Sequence, residues 1–133
     1  MKFDLDAARY VLLEMEKQPY GEILQFDDLA ARSSSYQRNA LQYACLKLRE
    51  AGLIHALTIG TFDSEIPFVD ILVDISFQGH QFLEQSRSAK SWELIKSVAR
   101  GIGNFSLSAL ATVAQSVTEA AVASWLSAHP LQF

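Results

Sequence analysis

The sequence predicts a mainly α fold carrying one small β-hairpin. Apolar residues recur at helical spacing over the first fifty positions, two runs rich in β-branched and aromatic residues follow Gly52, and helical spacing resumes after Ser76. A length of 133 residues suits one domain, and 50% hydrophobic residues supply the material for a packed core. With 20% charged residues and few Gly and Pro, a disordered, collagen-like or repeat chain is excluded.

The first helix is expected to start near Asp4, which can cap free backbone amides. Leu5, Ala8, Leu12 and Met15 then share a face, and Pro19 and Gly21 end it. Asp27 and Asp28 favour a second helix start through the macrodipole, Leu29 and Ala30 supply its apolar contacts, and the Ser33-Ser34-Ser35 run breaks it. A third helix is expected from Tyr36 to Glu50, with Ser35 as cap and Leu41, Cys45 and Leu48 inside, until Gly52 stops it. The segments Leu53 to Phe62 and Phe68 to Ser76 read as an antiparallel hairpin, with Asp63, Ser64 and Pro67 in the loop between them.

Ser76 can cap a fourth helix, Phe77 to Arg87, and Ser91 a fifth that runs through Arg100 with Trp92, Ile95 and Val98 or Ala99 inside. Gly101 and Gly103 separate it from a last helix starting near Ser106. Three helices, a hairpin and further helices is the order of a winged helix-turn-helix with additional C-terminal helices. One winged-helix-like domain is expected over 1–133, with its core in 1–88 and a helical extension in 89–133.

The net charge of −4 gives no global attraction to nucleic acid or anionic membranes. A single cysteine cannot form an internal disulfide, and MKFDLDAARY lacks the apolar core of a signal peptide, so a reducing cytoplasm is expected. The most apolar stretch, Leu107 to Leu126, is interrupted by Ser108, Thr112, Gln115, Ser116, Thr118 and Glu119, so no membrane anchor is read.

The run LKLREAGLI at Leu46 to Ile54 resembles the junction between recognition helix and wing in many bacterial winged-helix regulators. Further on, ISFQGHQFLEQSR, with Gly79, His80, Phe82, Leu83 and Arg87, then Trp92 and Lys96, resembles a family of uncharacterised winged-helix-like proteins of bacteria and their phages. The opening MKFDLDAARYVLLEMEKQPYG is similar to that family's opening as well. The resemblance covers most of the chain and is weakest around Glu22 to Ser35 and in the last helix. It implies the winged-helix fold and a phage or prophage regulator, and no activity, because function resides in a site.

Between Leu29 and Arg49 there is no acidic residue, while Arg32, Arg38, Lys47 and Arg49 supply positive charge and Gln37 and Gln42 can form paired hydrogen bonds to base edges. In a helix-turn-helix the start of the third helix enters the major groove, presenting Ser34, Gln37, Arg38 and Gln42 to bases, with Arg32 and Lys47 or Arg49 on phosphates. The alternative is a solvated helix face. Against DNA, no Lys or Arg occurs between Arg49 and Arg87, whereas Asp63, Glu65, Asp70 and Asp74 lie there. An acidic wing is repelled by phosphate or must point elsewhere.

In the last helix Leu107, Leu110, Val113, Val117 and Ala121 form an apolar stripe with Trp125 beside it, which suggests a homodimer interface or burial within the domain. His55, His80 and His129 are too scattered for a zinc site, no cofactor is expected, and Cys45 reads as an inert buried thiol. Asp4/Asp6 and Asp27/Asp28 are explained by helix starts, so no enzyme class is supported. The leading expectation is a cytoplasmic DNA-binding transcription regulator acting as a dimer. Its rival is a protein-interaction module that keeps the winged-helix shape without binding DNA.

Overall fold

The computed structural model describes residues 1–102 and, beyond them, Glu119, Ala123, Ser124, Leu126, Ser127 and Ala128. Within these, the fold is mixed α/β. The elements in order are α1 (Leu5–Glu16), β1 (Leu24–Gln25), α2 (Phe26–Arg32), α3 (Arg38–Glu50), β2 (Ile54–Thr61), β3 (Ser64–Ile75), α4 (Phe77–Gln85) and α5 (Ala89–Ile102). The chain divides into two compact units, Met1–Leu83 and Glu84–Phe133. The stripe of Leu107, Leu110, Val113, Val117 and Ala121, with Trp125, lies outside the described residues.

Helix α1 begins as its sequence requires. Asp4 Oδ1 accepts the N–H groups of Asp6 and Ala7 at 3.0 and 3.1 Å, and Ala7, Ala8, Val11, Leu12 and Met15 are buried. Helix α3 begins two residues later than expected. Ser33 Oγ, not Ser35, accepts the Tyr36 N–H at 3.0 Å, which folds the serine run into a local turn, and Gln37 occupies the N-cap position without a side-chain cap. The inner face of α3 is as expected, with Leu41, Cys45 and Leu48 buried.

The end of α3 explains the sequence AGLI. Gly52 has φ +76, its N–H donates to the Arg49 carbonyl at 3.1 Å, and the Leu53 N–H donates to the Leu48 carbonyl at 3.0 Å. These two bonds with buried Leu48 and Leu53 form a Schellman closure, for which Gly is the favoured residue. The chain then enters β2.

The hairpin gains a third strand. Order β1-β3-β2 puts β3 in the middle, with Leu24 opposite Leu72 and Gln25 opposite Ile71. Two residues are too few to leave an alternating pattern in the sequence. The turn is tighter than expected: Thr61 faces Ser64, so Phe62 and Asp63 form a two-residue loop, and Ser64 and Pro67 belong to β3. Proline is tolerated there because β3 bulges between Ser64 and Phe68, opposite only Ile59 to Thr61, and β1 does not reach that level.

Ser76 links the strand end to α4. Its Oγ donates to the Gly52 carbonyl at 2.6 Å and accepts the Gly79 N–H at 3.1 Å, while its own N–H donates to the Leu53 carbonyl at 3.0 Å. Helix α4 ends at Gln85 rather than Arg87, whose guanidinium instead binds Glu84 at 2.6 Å. In the second unit, the cap of α5 is Ser88 rather than Ser91: Ser88 Oγ accepts the Ser91 N–H at 3.0 Å, and Trp92 and Ile95 are buried while Val98 is exposed.

Candidate functional site

The residues expected to meet DNA lie on α3 and at the end of α2, but five of the seven already make polar contacts within the fold. Ser34 and Gln37 are exposed at the start of the helix. Arg38 makes an ion pair with Asp27 of α2, and its guanidinium carbon sits 4.9 Å from the centre of the Phe26 ring and 5.9 Å from that of Phe68. The two rings meet edge to face at 5.6 Å, so Arg38 covers an aromatic corner shared by α2 and β3.

Gln42 is a structural clamp. Its Nε2 donates to the Val69 carbonyl at 2.9 Å and its Oε1 accepts the Val69 N–H at 2.7 Å. Those two groups of β3 lie beyond the end of the short β1, and the amide side chain replaces the strand that is not there. Both hydrogen-bonding atoms that base reading would need are therefore taken.

The remaining cations are also engaged. Arg32 lies 3.6 Å from a Glu14 oxygen, Lys47 lies 3.0 Å from Glu50, and Arg49 Nε donates to the Ala56 carbonyl at 2.9 Å. The hydrogen bond to Glu50 raises the Lys47 pKa. Met1–Leu83 holds seven Lys and Arg against twelve Asp and Glu, a formal −5, so the unit carrying α3 is more acidic than the whole chain.

The hairpin shows the opposite character. Asp63, Glu65, Asp70 and Asp74 are all exposed, and Asp74 faces His55 across the strands at 3.9 Å. Between them Leu57 is 57% and Ile59 48% exposed, and Phe62 stands fully exposed at the turn. A nearby cavity of about 300 Å³, between the end of α1 and the end of β3, carries Glu16, Glu22 and Asp74 on its walls beside Met15 and Val73.

Residues 2–104 match the family described as Hypothetical protein (DUF2513), a domain of unknown function. The chain belongs to this family. No curated protein and no solved structure matches it. The matched span takes in α1 through α5 and leaves residues 105–133 outside.

Within that family span, no group of three or more His, Cys, Asp or Glu could hold a metal among the described residues, and no described helix is long and apolar enough to cross a membrane. Cys45 is fully buried, and desolvation pushes its thiol up to about 12. Two results follow. A thiol reagent leaves the folded protein unlabelled at neutral pH and labels one thiol after urea unfolding. At alkaline pH the unfolded thiol ionises near its ordinary 9.0 while the folded one stays protonated, so the folded state holds the extra proton. Stability is then intact below pH 9 and falls by about 1.4 kcal/mol per unit as the pH rises toward 12. Urea midpoints on either side of pH 9 measure this slope, and Cys45→Ala makes it shallower.

Sequence reasoning missed β1, the Gln42 clamp and the exposed apolar residues between the hairpin carboxylates. The last ran against its signal: Leu57 and Ile59 alternate with Thr58 and Gly60, which reads as an inward apolar face, yet both side chains are exposed.

Proposed function

We propose that the chain is a winged-helix protein-interaction module that uses its acidic hairpin to hold a positively charged protein partner. The order of α1, α2, α3 and the hairpin supports the winged-helix reading, and β1 alongside β3 completes a three-stranded wing base. One observation carries the function: the hairpin combines four exposed carboxylates and exposed Leu57 and Ile59 with no Lys or Arg at all. The engagement of Arg32, Arg38, Lys47 and Arg49 within the fold points the same way. A buried single thiol suits the reducing cytoplasm.

A second reading is double-stranded DNA binding by a phage or prophage transcription regulator, dimerised through the last helix. The exposure of Ser34 and Gln37 at the start of α3 favours it.

A fluorescent oligolysine of about ten residues tests the first reading. The full chain binds it at low salt and releases it as salt rises. Neutralising the hairpin with Asp63→Asn, Glu65→Gln and Asp70→Asn weakens binding by about tenfold or more. The control Glu16→Gln, Glu22→Gln and Asp28→Asn has a small effect. Equal losses in both triple variants would remove the hairpin from the role.

A further inference from the structure

Strand β2 is an edge. With β3 between it and β1, β2 pairs among the described residues only with β3, and its other side presents a row of backbone N–H and C=O groups. Arg49 occupies one of β2's carbonyls, that of Ala56 at 2.9 Å.

Soluble proteins guard such edges with Lys, Pro, bulges in the edge strand or inward-pointing charge. The β2 sequence IHALTIGT has no Lys, Arg, Asp, Glu or Pro. Each of the three register shifts leaves more unpaired residues in β3 than in β2, where Gly60 alone lacks a partner, so β2 is a regular run from Ile54 to Ile59. Its exposed Leu57 and Ile59 stand at alternate positions, where an added strand makes side-chain contact. An unguarded, apolar and regular edge is the feature that strand-adding ligands use.

The charge of the hairpin selects the occupant. A second copy of this chain would set four carboxylates against four of the same sign, a repulsive pairing. A segment rich in Lys or Arg offsets them. We infer that the free edge of β2 takes up an extended, basic segment of a partner protein as an added strand, with apolar side chains over Leu57 and Ile59 and cations answering Asp63, Glu65, Asp70 and Asp74. The inference rests on the protein-interaction reading and names the partner's chemical class.

The test uses the full chain and three capped peptides of about ten residues: alternating Lys-Val, alternating Glu-Val, and Lys-Val with the backbone nitrogens of alternate residues methylated. Amide exchange and amide NMR shifts are read residue by residue. Lys-Val slows exchange of β2 amides by about tenfold or more at saturation, Glu-Val does not bind, and the methylated peptide binds about tenfold more weakly because its pairing edge has lost its donors. Ile59→Lys, at an exposed position, weakens Lys-Val while leaving the fold intact.

If the methylated peptide binds as well as its parent and shifts the Leu57–Ile59 face without protecting β2, strand addition is wrong and the protein-interaction reading survives. If no Lys-Val peptide binds while oligolysine still does, the strand inference is again wrong. Failure of Lys-Val and oligolysine together overturns both.

Discussion

Replacing Gln42 by Leu lowers the unfolding free energy by about 2–4 kcal/mol, because it strips the partners from two buried backbone groups at once. Val69 is fully buried, and its N–H and C=O are satisfied by the Gln42 amide at 2.7 and 2.9 Å. Leu fills similar space but leaves both groups without hydrogen bonds. Gln42→Glu keeps the acceptor for the Val69 N–H and sets a carboxylate oxygen against the carbonyl, so it also destabilises. Urea unfolding measures this as a lower midpoint with an unchanged slope. Unchanged stability in Gln42→Leu would release the side chain for recognition and remove the clamp from the account.

The second large effect is Gly79→Ala, which costs about 3 kcal/mol, the upper part of the range for overpacking a core. A Cβ on Gly79 would stand 2.0 Å from the Leu53 carbonyl oxygen and 2.6 Å from Ile75 Cγ2. Neither neighbour can withdraw cheaply. The Leu53 carbonyl accepts the Ser76 N–H at 3.0 Å, and the Gly79 N–H is held by Ser76 Oγ at 3.1 Å. The first turn of α4 must therefore move off the end of α3. Gly60→Ala, with nothing within 4 Å of its added carbon, changes stability by less than about 0.5 kcal/mol. Thermal unfolding of the two variants separates them, and similar midpoints would contradict the close approach.

Features set by neighbours in sequence were legible before the structure. The Asp4 cap, the closure of α3 at Gly52, the Ser76 cap and the buried face of Leu41, Cys45 and Leu48 depend on spacings of a few residues, which periodicity and cap chemistry report directly. What escaped depends on tertiary placement. Arg38 and Asp27 are eleven residues apart and Gln42 and Val69 twenty-seven apart, so a stretch without acidic residues read as a positive face although Arg32, Arg38 and Arg49 are answered from other elements. Pro67 read as a loop because a central strand normally excludes proline, and the bulge of β3 beyond the reach of β1 makes room for it. The acidity of the hairpin, by contrast, was plain in the sequence, while the free edge beside it required the strand order.

These features converge on a surface that selects positive charge on a protein and repels phosphate. Fluorescence anisotropy with a labelled random-sequence DNA duplex, titrated with the full chain from about 50 mM salt upward, tests this most directly. The account predicts no saturable binding at any salt concentration. Micromolar binding whose log affinity falls linearly with log salt would contradict it and return α3 to the DNA.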